Sequence, residues 1–337
     1  GMKMVYEMGK KRSKNRKKKD NYISFSEKVK NEYSELDISD KKIEAVLELA
    51  GIYRMNSSIA LIDNDFQIKF TTRSKGCIKR IVKLVKSIYD EDIEILELND
   101  LSLNKNNTYI GYLNSEITKD FLSISGFDLL GDFSDSKESF ISRLKNKEHS
   151  ISYLRGAFLG GGSITDPNKG YNLEIIGPKE VDGDIILALL ENIGIKGNIR
   201  NRKDRLVIYV KNSEDIGEFL AETNATNAYL EYINVRIEKS TINNFNRAAN
   251  FETSNLDKQL ETSARQIAYL NYIENNIGLE NIPENLREVA ILRRENEDKS
   301  IKEIGEMLNP PFSKSGVNYR LKKLENIAKD HMGNRKG

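Results

Sequence analysis

Side chains able to recognise or transform another molecule concentrate near the end of this chain. From residue 312 to 337, seven Lys or Arg oppose only Glu325 and Asp330, a balance of +5. At about 100° per residue, a helix places Val317, Leu321, Leu324 and Ala328 in one narrow apolar stripe. Ser315, Asn318, Tyr319 and Lys322 fall on the opposite side, with Lys323 beside them. Such a face can read a DNA major groove. Asn offers paired hydrogen bonds to adenine, Ser adapts to either base edge, and Lys meets guanine or phosphate. Lys314 and Arg320 flank the face and suit backbone contacts. The same pattern also fits a solvated helix in a protein–protein domain, so the face needs a context.

Other chemistries find little support. Cys77 is the one cysteine, which excludes an internal disulfide and a cysteine-based zinc site. His149 and His331 are too few for a histidine-rich metal centre. Neither a metal nor a cofactor is expected. The run Gly160-Gly161-Gly162 invites comparison with a phosphate-cradling loop, but no Lys-Ser/Thr follows it, and no acidic ribose ligand lies at the expected distance. Helix packing and a tight helix-to-strand turn account for these glycines better. No stretch approaches the ~18 apolar residues of a membrane span, and no apolar signal core follows the basic start. A cytoplasmic, nucleoid-associated protein is expected.

The 337 residues give room for two or three domains. Residues 1–20 carry nine Lys or Arg against Glu7 and Asp20, so the net +2 of the chain hides an arm of +7 and a remainder of −5. The arm, taken as residues 1–21, repels itself and is expected to be disordered. It reads as a phosphate-neutralising segment or as a solvated tail. Beyond it, helices are predicted at 22–35 and 40–55, with Ile43, Val46, Leu47 and Ala50 on one face of the second. Strands at 58–63 and 67–72 flank the turn Asp63-Asn64-Asp65. A helix over about 74–89 follows, with Ile78, Ile81, Val82, Val85 and Ile88 at helical spacing. Strands 93–98 and 108–113, joined by the Asn-rich loop 99–107, lead to a helix near 115–123.

After a polar linker, the same order returns between 150 and 222. The segment from Leu49 to Ile59 aligns on Leu154 to Ile164 at a constant offset of 105 residues. The body is therefore read as a tandem duplication, with units at 22–125 and 150–239 and a linker at 126–149. Gly51 in one copy, and Gly156, Ala157 and Gly160 in the other, would let two helices approach closely. A helical connector is expected at 240–282. Three helices then form a unit at 283–329, followed by a tail at 330–337. In that unit Pro283 suits a helical first turn, and Ser300 with Glu303 makes a capping box. Gly305 marks a place where a partner helix comes close, and Asn309-Pro310-Pro311-Phe312 stops the second helix before Ser313 caps the third. This is a helix-turn-helix outline whose turn is roughly two residues longer than the common form.

The duplicated body, with Leu49, Ala50 and Gly51 preserved in its first copy, resembles the LAGLIDADG homing endonucleases, in which two such helices pack centrally beneath two antiparallel sheets. That resemblance implies an α+β fold of two αββαββα units, followed here by a separate all-α domain. In those nucleases the eighth motif position is an acid at each helix foot, and the pair holds a divalent metal. Asn56 and Gly161 stand there instead, and neither supplies a carboxylate. Asp63, Asp65 and Asp166 are near in sequence but lie on turns, where aspartates serve backbone geometry.

More closely still, Tyr153 to Ile164 with Asp166-Pro167 and Tyr171 to Ile175, the connector motif Asn246-Arg247-Ala248-Ala249-Asn250, and Ser313 to Leu321 are similar to the signatures of the WhiA family. These are sporulation and cell-division regulators of Gram-positive bacteria. The resemblance implies a sequence-specific binder of double-stranded DNA with no nuclease activity, and possible dealings with an RNA polymerase sigma factor. Secondary DNA contacts are expected from Arg200, Arg202, Lys203 and Arg205 around one hairpin turn, and from Arg73 and Lys75 after a strand of the first copy. Charge for solubility alone is the alternative for those six. Competing assignments are an active homing endonuclease, or a scaffold in division or chromosome segregation without specific DNA binding.

Overall fold

A computed structural model describes residues 22–38, 40–99, 107–130, 132–179 and 183–334. The basic arm, most of the Asn-rich loop 99–107 and the end of the tail lie outside the described residues. Contacts divide the chain into two units, which part between Ile237 and Glu238.

In the first unit, α1 (Phe25–Glu35) and α2 (Lys42–Met55) precede β1 (Ser58–Ile62) and β2 (Asp65–Thr72). Then come α3 (Lys75–Tyr89), β3 (Ile95–Leu98), β4 (Thr108–Tyr112) and α4 (Ser115–Ser125). The second copy follows a short α5 (Lys137–Arg143). It comprises α6 (Lys147–Gly161), β5 (Gly162–Ile164), β6 (Leu173–Pro178), α7 (Gly183–Asn192), β7 (Asn198–Arg202), β8 (Arg205–Val210) and α8 (Ser213–Glu222). Both sheets are antiparallel with the same order, β1-β2-β4-β3 and β5-β6-β8-β7. Each copy is thus helix, strand pair, helix, strand pair, helix. The first hairpin closes through Asp63 and Asn64, both at positive φ (52° and 63°), as a two-residue turn between right-twisted strands requires. Asp65 belongs to β2, so the turn is shorter than the sequence suggested.

The two copies meet along α2 and α6. A Cβ on Gly51 would strike the Tyr153 carbonyl, and one on Gly156 would strike the Glu48 carbonyl, so only glycine permits this approach. Leu49, Ala50, Ile52, Leu154, Ala157 and Phe158 are wholly buried around the contact. Each large aliphatic side chain so buried contributes about 1.5–3 kcal/mol. Because α2 is enclosed on nearly every side from Ala45 onward, its apolar pattern has no single face. Ile43, expected in the core, is 62% exposed at the helix start.

A charged network runs through the same junction. Arg80 on α3 grips Glu48 on α2 with two bonds, Nε to Oε1 at 2.7 Å and Nη2 to Oε2 at 3.0 Å. Arg155 on α6 reaches the same carboxylate at 3.4 Å and donates from Nε to the Thr223 carbonyl at 3.0 Å. Helix α1 binds both copies together. Glu27 accepts the Gly76 N–H at the start of α3 (2.9 Å), and the Ser26 hydroxyl exchanges bonds with the Ile164 backbone on β5 (3.1 and 2.9 Å). Glu32 accepts the N–H groups of Asn227 and Ala228 (2.7 and 3.0 Å), which caps the helix that begins at Thr226.

Residues 126–149 are not a polar linker. Phe127 and Phe140 are buried in the core, in a ring cluster with Phe133, Tyr53 and Tyr153 at centroid distances of 5.1 to 5.7 Å. Their spacing follows no helical or strand period, and the polar residues between them hid the pattern. The expected boundary at 239/240 also falls inside one helix, α9 (Thr226–Asn276). No Gly or Pro interrupts its 51 residues, and a shift to Asn-rich composition does not stop a helix.

The second unit takes the greater part of α9, from Glu238 onward, together with α10 (Glu284–Glu295), α11 (Ile301–Met307) and α12 (Lys314–Asn334). Its core holds Leu270, Ile273, Leu286, Val289, Ala290, Ile304 and Leu308, closed by the stripe of α12. Pro283 sits at the N-cap of α10 rather than in its first turn.

Candidate nucleic-acid interface

The exposed side of α12 is set by what its other side buries. Val317, Leu321, Leu324 and Ala328 are 0–3% exposed, as the 3.6-residue period predicts. This fixes the rotation of the helix and leaves Lys314, Ser315, Asn318, Tyr319, Lys322 and Lys323 exposed. Tyr319, 61% exposed, is the large apolar surface of the set. Lys323 holds its ammonium 4.8 Å from the Tyr319 ring, and Arg320 lays its guanidinium 3.9 Å from the Phe312 ring. Arg320 is half-buried by that stacking, so it is held at the edge of the face rather than free beside it.

Helix α11 and the six-residue connection 308–313 place the start of α12. Ser300 and Glu303 form the reciprocal capping box: the Ser300 hydroxyl accepts the Glu303 N–H at 3.2 Å, and the Glu303 carboxylate accepts the Ser300 N–H at 2.7 Å. The Ser300 N–H foremost, and then its hydroxyl, hold the Glu303 carboxyl below its ordinary range. At Gly305 the close neighbour is chiefly the connection itself. The Phe312 carbonyl occupies the space a Cβ would need, with the Val317 side chain beside it, and the Phe312 N–H returns a bond to the Gly305 carbonyl at 2.9 Å. Ser313 accepts the Gly316 N–H at 3.1 Å and so caps α12.

In the body, Asn56 is the C-cap of α2 and Gly161 is the last residue of α6. A Cβ at 161 would collide with the Ile176 carbonyl of β6. The carboxylate missing from that position therefore has no room, which the sequence did not reveal. Among the described residues, no group of three His, Cys, Asp or Glu is placed to hold a metal. Asp65 accepts its neighbour's N–H (Phe66, 3.0 Å) and pairs with Lys119 at 3.3 Å, and Asp166 accepts the Asn168 N–H at 2.9 Å. Hydrogen bonds hold both carboxyls below their ordinary range: Ser115 foremost for Asp65, with the Phe66 N–H and Lys119 adding to it, and the Asn168 N–H foremost for Asp166.

The basic residues of the second sheet share its open face. Register pairs Arg202 with Arg205 and Arg200 with Val207, while Leu173, Ile175 and Ile208 point to the core. Arg202, Lys203 and Arg205 are exposed around the tip. Arg200 is different: it is bonded to Glu174 and lies over the Tyr209 ring at 5.1 Å, so part of its charge is already answered. In the first copy Arg73 and Lys75 are exposed, and its open face carries Leu96 and Leu98 (52 and 53% exposed). The structure thus gathers four of the six secondary residues and leaves two apart. Sequence reading missed the Glu48–Arg80–Arg155 network. A charged Arg155 where the motif's other copy has Ala50 was its only signal.

Comparison with known proteins places this geometry. Family models for the WhiA N-terminal LAGLIDADG-like domain, the WhiA LAGLIDADG-like domain and the WhiA C-terminal HTH domain match residues 42–126, 150–241 and 245–328. The chain belongs to the WhiA family. It is 38% identical over 314 residues to a probable cell division protein WhiA of Clostridium acetobutylicum, covering 91% of this chain and 98% of that one. A counterpart in Heliobacterium modesticaldum is 38% identical over 309 residues, covering 91% and 96%. Among solved structures, full-length DUF199/WhiA from Thermatoga maritima superposes with a TM-score of 0.56 at 27% identity, covering 91% of this chain and 99% of that one. The fold is accordingly a tandem LAGLIDADG-like body with a WhiA-type helix-turn-helix domain. No helix among the described residues is long and apolar enough to cross a membrane.

Proposed function

We propose that this protein is a sequence-specific DNA-binding transcriptional regulator of sporulation or cell division, and that its nuclease-like body does not cut DNA. The observation that carries the reading is the division of α12 into a buried stripe and an exposed face of Ser315, Asn318, Tyr319, Lys322 and Lys323. In this assignment Asn318 and Ser315 meet base edges, Tyr319 packs on sugar or a thymine methyl, and Lys314, Lys322 and Lys323 neutralise phosphates. Arg320, held on Phe312, meets the backbone at the border of the face.

The absence of cleavage follows from Asn56 and Gly161. An amide and a bare backbone bind a divalent cation poorly compared with paired carboxylates, and the crowding at Gly161 supports the loss as built into the packing. Arg202, Lys203 and Arg205, with Arg200 in a reduced role, form a secondary phosphate-contacting patch. Arg73 and Lys75 contribute less because they lie outside that patch. A sigma-factor partner, implied by the family resemblance, belongs to this proposal.

The test is selection of genomic fragments by the full chain in magnesium buffer, with sequencing of both the fragments and their ends. An enriched motif on uncut fragments is expected. Fragments with a recurrent cut at the motif would replace the assignment with a nuclease. Fragments with no common motif would favour a scaffold.

A further inference from the structure

The first unit carries a groove of ≈ 520 Å³ where the first turns of α2 meet the ends of α4 and α5. Its floor is apolar, built from Val46, Leu47, Phe140 and Leu144, and Ile43 and Ile124 stand at the lip (62 and 41% exposed). Lys42 and Arg143 supply the charge at its margin. Both are exposed, and the Arg143 guanidinium lies 5.6 Å from the centre of the Phe140 ring, at the edge of the floor. Asp120, the acid in the lining, already accepts the Tyr89 hydroxyl at 2.9 Å, and the His149 ring is engaged with the Arg143 carbonyl at 3.3 Å.

We propose that this groove binds a small amphiphilic monoanion, a free carboxylate with a medium-length aliphatic tail. The tail would cover the apolar floor and the carboxylate would answer Lys42 and Arg143. The volume lies within the ~300–1,000 Å³ usual for small-molecule pockets. A protein partner would need roughly 20–30 residues on each side, far more than this recess offers. A nucleic-acid backbone would meet the two cations but leave Val46, Leu47 and Leu144 uncovered. Nothing in this site overlaps the DNA-reading face proposed for α12, and its test is independent of that face.

Calorimetric titration of the full chain with sodium octanoate, 1-octanol and octyltrimethylammonium, each below its aggregation limit, tests the assignment. Octanoate is expected to bind once per chain. Decanoate should bind at least tenfold tighter, since each buried methylene is worth about fourfold. Octanol should be at least tenfold weaker than octanoate, and the ammonium should not bind. The double variant Lys42→Ala/Arg143→Ala should reduce octanoate to the level of octanol and leave octanol unchanged. Ile43→Asp, an exposed position whose change spares the fold, should abolish both, with the circular dichroism spectrum retained. Absence of octanoate binding overturns the proposal. So does equal binding of octanol, or undiminished binding to Ile43→Asp, or saturation of the groove by an acidic amphipathic peptide while octanoate fails.

Discussion

Asn318 and Lys322 lie one helical turn apart on the exposed side of α12, yet their chemistry separates their roles. An amide side chain discriminates bases through paired donor and acceptor atoms, while an ammonium responds to charge. Asn318→Ala should therefore relax sequence preference by about 1–3 kcal/mol at one base position. Lys322→Ala should weaken all duplexes alike and lower the salt slope by about one. Competition binding with single-base variants, repeated across salt concentrations, separates the two. Equal losses without a change of preference would remove the groove-reading face. The capping box offers a pH signature at the same scale. Glu303 has its carboxyl depressed in the folded state, so its contribution is present above the ordinary value of 4.5 and fades as the pH falls through the lower folded value. Melting of the chain against pH should show Glu303→Gln flattening part of the acid-side decline. An unchanged profile would mean that the box does not act through the ionised carboxylate.

Among the elements, α12 and α2 were both legible as helices, but only for α12 did the sequence show which side is buried. A helix with one wet side keeps its period in the apolar residues, so Val317, Leu321, Leu324 and Ala328 announced the buried stripe and, by elimination, the exposed face. Helix α2 is dry on nearly all sides from Ala45 onward, so no one face marks its buried residues, and Ile43, in the first turn ahead of that enclosure, stands in solvent. The cluster of Phe127, Phe133 and Phe140 forms through tertiary packing rather than local period, and the Arg155–Glu48 bond spans 107 residues. Neither could be read locally. The glycines of the motif were legible as close-packing positions, although the obstacle at Gly161 comes from Ile176 on a different strand. Gly156→Ala should destabilise the body by about 1–3 kcal/mol or more, because the Glu48 carbonyl must move. Glu48→Ala should cost about 3–5 kcal/mol by stranding Arg80 in the core. Denaturant unfolding of the chain checks both. The pair Asn56→Asp/Gly161→Asp should give a less stable protein that still fails to nick a bound duplex in magnesium, since the second acid has no space. Cleavage by that variant would show that the helix feet kept the geometry of a working site.

For the whole molecule, two kinds of surface must be weighed against each other. The net charge is only +2, so affinity cannot come from the protein's overall field and must come from local patches. In the proposed assignment the α12 face joins cations to base-reading groups. The open face of the second sheet joins Arg202, Lys203 and Arg205 to no such group, and so can add affinity but little selectivity. Removing those three charges together should lower affinity for specific and random DNA by the same factor. The account therefore rests on how strongly the intact chain prefers its own sites. Its most direct test is the affinity of the chain for a selected genomic duplex against a scrambled duplex of equal length, measured across a salt series. The account predicts a preference of about 10³ or more that persists as salt weakens both complexes and collapses in Asn318→Ala. Equal affinities for the two duplexes at every salt concentration would contradict it.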